Sequence, residues 1–196
     1  MTAQAKTYAA FLRGVNLGRR RRVSSSELRS HFEGLDFSDV ATFRTSGNVI
    51  FTAESGSTAR MTSRIEKGLS KSLGFEVVVF LRSAREMREL AAHQPFAPSL
   101  QKRSKGKLQV MLLAARPPAR ARKRVLALAS SKDRLDFGKR ELYWLPSAGT
   151  RDSALDVKAI EAEIGAVTMR TKGTIDELAA KYFAEGDHTS TRLADG

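Results

Sequence analysis

Five apolar residues in a row, Tyr8 to Leu12 (YAAFL), end abruptly at Arg13-Gly14. A short apolar run closed by a glycine predicts a strand buried on both faces. A polar loop, RGVNLGRRRRV, follows. Ser24 then stands three residues before Glu27, the spacing of a capping box. Leu28, Phe32 and Leu35 continue at helical intervals, and Gly34 marks the expected helix end. Residues 40–44 and 49–52 predict two strands joined through Thr45-Ser46-Gly47-Asn48, where Gly47 supplies a positive φ. Met61, Ile65, Leu69 and Leu73 recur every fourth residue and predict a helix over 57–73 that stops at Gly74. Phe75 to Leu81 (FEVVVFL) predicts a fourth strand. The order through residue 81 is β-α-β-β-α-β, the ferredoxin-like unit.

The pattern then repeats in architecture, though not in sequence. A connecting helix spans 84–93 and ends before Pro95. A polar, basic loop fills 98–106. A strand over 107–114 (KLQVMLLA) is followed by a helix that Pro117-Pro118 open and that runs to about residue 130. Strands over 134–137 and 141–145 flank Gly138-Lys139. A helix over 156–164, a strand over 165–169 and a helix over 174–183 complete the chain. The fold class expected is therefore α+β, with two ferredoxin-like subdomains packed in one chain. The boundaries expected are 1–98, 99–185 and a flexible tail over 186–196.

Composition agrees with a folded chain: 41% of the 196 residues are hydrophobic and none is cysteine. The missing cysteine excludes disulfides, thiolate nucleophiles and zinc–thiolate sites. No apolar run reaches the length of a membrane span, and the first residues lack a secretory pattern, so a cytoplasmic protein is expected. Charge changes the picture more. The net charge is +13, and residues 90–132 hold ten basic groups without one carboxylate. Such a segment creates a local field that attracts polyanions, although a solvated basic face has the same composition. Arg19, Arg20, Arg21 and Arg22, together with Lys102, Arg103, Lys105 and Lys107, are the candidate nucleic-acid contacts.

The loop LRGVNLGRRRR lies between a strand and a helix, where amide N–H groups favour anions. Its glycines match neither G-x-x-x-x-G-K-[ST] nor G-x-G-x-x-G, so no cofactor motif is present. In a β-α-β-β-α-β unit the end of the first strand meets the start of the third. Arg13, Gly14, Asn16, Gly18, Ser46, Gly47 and Asn48 thus share one sheet end, with Arg170 as a possible further member of a small-anion pocket. The alternative is that the glycines shape a turn, Asn48 caps it and Arg13 pairs with a carboxylate. The histidines, His31, His93 and His188, are far apart, and no metal site is expected. Glu161 and Glu163 are expected to be solvated. Tyr143-Trp144 are expected in the core and rim of a strand, or as a stacking platform beside the basic segment. No G-x-S-x-G nucleophile is present, no oligomeric state is implied, and whether the chain is an enzyme stays open.

These same residues resemble a family. LRGVNLG at 12–18, Leu28-Arg29, and SGNVIF at 46–51 are similar to the LRGINVGG and SGNVVF pattern of the bacterial domain of unknown function 1697 family. Gln94-Pro95-Phe96, Glu141-Leu142-Tyr143 and Thr168-Met169-Arg170 extend the resemblance over roughly 6–184. Arg19 replaces a second Gly, and Thr171-Lys172 replace an Asn-Trp pair. The resemblance implies two related ferredoxin-like subdomains and no established activity. Three readings follow: a binding module for nucleic acid or another polyanion, an enzyme or binder for an anionic ligand at Arg13, Asn16 and Asn48, and a protein-interaction module.

Overall fold

The computed structural model describes residues 5–15, 22–45 and 47–184. The first half contains β1 (Ala5–Arg13), α1 (Ser25–Glu33), β2 (Ser38–Thr42), β3 (Asn48–Glu54), α2 (Thr58–Leu73) and β4 (Val78–Ser83). Then come α3 (Ala84–Ala92) and α4 (Pro98–Arg103). The second half contains β5 (Gln109–Leu113), α5 (Ala119–Leu126), β6 (Asp133–Phe137), β7 (Glu141–Pro146), α6 (Val157–Ile164), β8 (Val167–Thr171) and α7 (Lys172–Tyr182). The sheets have the orders β2-β3-β1-β4 and β6-β7-β5-β8, and every pairing is antiparallel. The α+β class and the ferredoxin-like arrangement of each half stand as the pattern predicts.

Alternation along the central strands builds three cores. Tyr8, Ala10 and Leu12 face α1 and α2, where they meet Leu28, Phe32, Ile65 and Leu69. Ala9 and Phe11 face the other way. They join Ile50 and Phe80, Val110, Leu112 and Tyr143 of the second sheet, and residues of α3 and α7. Met111, Leu113, Leu142 and Trp144 then meet Val125 of α5 and Ile160 of α6. The inner faces of the two sheets therefore share one core. Each fully buried Leu or Phe contributes about 1.5–3 kcal/mol, so the shared core is a large term.

The caps behave as their chemistry requires. Ser24 and Glu27 form the capping box at α1, and Gly74 ends α2 at φ 72°. Several bounds move. Residues 98–106, expected as a loop, begin with a six-residue helix, because Pro98 sits at its first turn with φ already set. The strand expected over 40–44 lies at Ser38–Thr42, since Arg44 takes φ 57° and leaves the ladder. The last helix starts at Lys172, two residues early, because the Thr171 side chain accepts from the Thr174 N–H.

Polar groups cross between the sheets at two places. In one, the fully buried Arg82 donates from Nε to Glu141 at 3.1 Å and from Nη2 to the Leu113 and Arg140 carbonyls. Beside it, Arg140 reaches Glu86 at 2.6 Å. Burial alone would raise the Glu86 carboxyl, but hydrogen bonds from Ser83 and the charge of Arg140 outweigh it and hold the group below its ordinary 4.5. A carboxylate depressed in the folded state stabilises above its unfolded pKa, and the contribution fades as pH falls through the folded value. Glu86→Gln is therefore expected to cost about 1 kcal/mol at pH 7. The gap between variant and wild type should close toward pH 3 in thermal denaturation. A gap unchanged by acid contradicts the assignment.

Candidate functional site

The Asn48 and Arg170 side chains meet, while Arg13, at the end of β1, is held by partners of its own. Phe11 pairs with Asn48 across β1 and β3, so the end of one strand meets the start of the other. Arg170 reaches them from β8 in the other sheet. Its Nε donates to Asn48 Oδ1 at 2.6 Å, and its Nη2 to the Leu12 carbonyl at 3.2 Å. Nη1 donates to Thr168 Oγ1 and to the Met169 carbonyl. Burial pushes the Arg170 guanidinium down to about 10, which keeps it charged at neutral pH. Arg13 makes a two-pronged contact with Glu161 and donates to the Val167 carbonyl at 2.9 Å. Asn48 is 1% exposed and donates to the Phe43 carbonyl. The described donors of this group thus face protein acceptors, and the group is a polar seam between the sheets.

The glycines here serve the backbone. Gly47 takes φ 70°, and a Cβ there would lie 2.6 Å from a Val15 methyl. Gly14 takes φ 96° against the Glu76 carbonyl. Asn16, Gly18, Arg19, Arg20, Arg21 and Ser46 lie outside the described residues. Glu161 and Glu163 are not merely solvated: Glu161 holds Arg13, and Glu163 holds Arg124. Tyr143 and Trp144 are 1% and 2% exposed, so neither ring offers a stacking platform. Trp144 instead donates to Asp133, and His93 lies 4.8 Å from the Tyr143 ring. Among the described residues no group of three His, Asp or Glu side chains is placed to hold a metal ion.

A group of cations without a described carboxylate partner lies elsewhere, at one end of the second sheet. There the loop before β5, the end of β7 and the start of β6 lie side by side, as antiparallel β6-β7-β5 order demands. Backbone bonds tie them together. The Lys105 N–H donates to the Ser147 carbonyl at 3.0 Å, and the Ser147 N–H to the Lys132 carbonyl at 2.7 Å. The Ser104 hydroxyl donates to the Pro146 carbonyl and accepts from the Gly106 N–H. At Gly106 an added Cβ would collide with the Ala148 and Pro146 carbonyl oxygens. Gly106→Ala is expected to lose roughly 2 kcal/mol of stability, read as a lowered Tm. An unchanged Tm contradicts that close approach.

Lys102 and Arg103, at the end of α4, and Lys105 and Lys107, on this fixed loop, are exposed. Lys132 and Arg134 stand across from it, also exposed. None of the six pairs with a described carboxylate, whereas Arg13, Arg44, Arg64, Arg82, Arg124 and Arg140 all do. Between the loop and β6 lies a concavity of about 210 Å³ without a carboxylate in its wall. A larger cleft of about 440 Å³ adjoins it across Leu145, but there Asp176 and Glu177 balance Lys172 and Arg44. Arg22 is exposed in the segment before α1. Arg134 is the residue that charge counting by segment misses, because a carboxylate, Asp133, ends the acid-free segment at Lys132 while its side chain turns inward to Trp144.

Two antiparallel sheets of ferredoxin-like order, sharing a core and presenting a preformed basic corner, define a class of fold rather than of reaction. The chain belongs to the protein family of unknown function DUF1697, whose model matches residues 5–143. The segment around Arg170 lies beyond that match. In structure the chain is similar to the conserved bacterial protein SP0830 from Streptococcus pneumoniae, at 19% identity and a TM-score of 0.70. That likeness covers 91% of this chain and 98% of the other, and at such identity it establishes the fold alone. No curated protein matches the chain. Among the described residues no helix is long and apolar enough to cross a membrane.

Proposed function

We propose that this protein is a binding module for nucleic acid or another polyanion, acting through the basic corner built on Lys102, Arg103, Lys105 and Lys107. One observation carries the reading: Arg103, Lys132 and Arg134, none with a described carboxylate partner, line one acid-free concavity, and Lys102, Lys105 and Lys107 lie on the chain segment beside it, while most arginines nearer the sheet seams are paired. Unpaired cations on a fixed loop attract a phosphate chain without first giving up an internal salt bridge. In this reading residues 1–98 form a supporting unit, 99–185 carry the contact surface, and Arg19–Arg22 add a second patch of charge. The reading of Arg13, Asn48 and Arg170 as a small-anion pocket has the weaker support, since their described donors already have acceptors within the protein.

Fluorescence anisotropy with labelled single-stranded RNA, single-stranded DNA and duplex DNA tests the proposal. Wild type is compared with a variant carrying Lys102→Gln, Arg103→Gln, Lys105→Gln and Lys107→Gln, and with Arg13→Ala. The fourfold variant is expected to bind roughly tenfold or more weakly at low salt, and Arg13→Ala to bind as wild type does. Equal affinity in the fourfold variant removes the corner from the account. Loss in Arg13→Ala alone restores the seam as the site.

A further inference from the structure

The concavity between the loop and β6 has a composition of its own. Arg103 reaches its wall from the end of α4, Lys132 and Ser131 from the turn before β6, and Arg134 from β6 itself. Ser147 closes the side beyond β7, and Leu100 and Leu145 line the rest. The register explains the convergence. Arg134 pairs directly with Leu145, so both side chains project to the same face of the sheet. Its neighbour Asp133 projects to the opposite face, where it accepts from Trp144 and Ser153. The Asp133 carboxylate is thereby kept out of the pocket. The Ser131 and Ser147 hydroxyls have no hydrogen-bond partner among the described residues.

We infer that this pocket receives a terminal phosphomonoester, the phosphorylated end of a nucleic-acid chain. The inference rests on the polyanion-binding reading and names the group that the surface selects. A terminal phosphate carries about −1.5 to −2 charges and three acceptor oxygens. Two guanidinium forks, one ammonium and two free hydroxyls, arranged around a hollow, match that group in charge and in donor directions. An internal phosphodiester carries one charge and is flanked by two sugars, so it suits an open ridge better than a hollow walled by α4, β6 and β7. Lys102, Lys105 and Lys107 supply that ridge outside the hollow, where the following phosphates would lie. A free mononucleotide offers the same terminal group but leaves the ridge unused.

The test compares one single-stranded oligonucleotide in three forms: 5′-phosphorylated, 3′-phosphorylated and unphosphorylated, each with an internal fluorophore. Wild type is expected to bind a phosphorylated form about tenfold more tightly than the unphosphorylated one, a margin in line with charge-assisted bonds to one group. Arg134→Gln and Ser131→Ala should erase that preference. Lys102→Gln with Lys105→Gln should weaken all three forms and keep it. Both positions are exposed, and Tm measurements confirm that each variant folds. Equal affinity for all three forms overturns the phosphate-end inference and leaves polyanion binding standing. Failure to bind any oligonucleotide, with AMP still raising Tm in an Arg134-dependent manner, overturns the polyanion reading and assigns the pocket to free phosphomonoesters. No response to oligonucleotides, AMP or inorganic phosphate overturns both.

Discussion

Arg82→Met is expected to destabilise the protein by about 3–5 kcal/mol, the range for removing one partner of a buried ion pair. The guanidinium has no solvent exposure, and its donors satisfy Glu141 and the carbonyls of Leu81, Leu113 and Arg140. Burial presses its pKa down, and the nearby Arg140 charge adds to that, so the charged form depends on these acceptors. Once it is gone, Glu141 sits 8% exposed without its countercharge. Because Arg82 belongs to β4 and Glu141 to β7, the cost falls on the joint between the sheets. For a chain of this size the Tm should drop by roughly 10 °C. Adding Glu141→Leu should recover much of the loss, since a well-packed apolar pair often replaces a buried ion pair at no cost. A Tm within about 2 °C of wild type for the single variant contradicts this account.

The second large effect is expected at Arg170. Arg170→Ala removes the donors to Asn48, Leu12 and Thr168, and with them the charge-assisted hydrogen bonds that join β8 to the mostly buried ends of β1 and β3. The expected loss is about 3 kcal/mol, because hydrogen bonds to a charged donor are worth about 1.5–3 kcal/mol and several are lost together. Arg170→Lys should recover little of it. A point-like ammonium cannot reach Asn48, Thr168 and the Leu12 carbonyl at once, as the planar fork does. Amide exchange gives the local signature: protection should fall at Leu12 and Asn48, where β1 and β3 meet, more than in α2. Full rescue by lysine contradicts the proposed geometry.

Much of the fold is legible in the chain because local and global signals agree. Ser24-x-x-Glu27, the four-residue spacing through Leu69 and the stop at Gly74 each name a helix or its end. The runs YAAFL and VMLL name strands that are buried on both faces. The short helix at 98–103 escapes notice because six residues with a single large apolar side chain, Leu100, show no period. Long-range pairing escapes for a different reason. Nothing near Glu161 in sequence announces Arg13, which lies 148 positions away and meets it only when the sheets pack. The rule that brings Arg13 to Asn48, that neighbouring antiparallel strands share their opposite ends, also brings residues 103–107 to Lys132 and Arg134. Applied to the second half, it locates the basic corner from topology alone. Which face Tyr143 and Trp144 occupy is not legible, because both faces of β7 are covered: one by the other sheet's core and one by α5 and α6.

The central claim is that the corner at residues 102–107, with Lys132 and Arg134, neutralises the phosphates of a bound chain. The most direct test is the salt dependence of single-stranded RNA binding. Six phosphate contacts predict that log Kobs falls against log salt with a slope of about −4, at roughly 0.7 per contact. The variant lacking Lys102, Arg103, Lys105 and Lys107 should flatten that slope by about 3. A slope near zero in wild type, or one that the fourfold variant leaves unchanged, contradicts the claim.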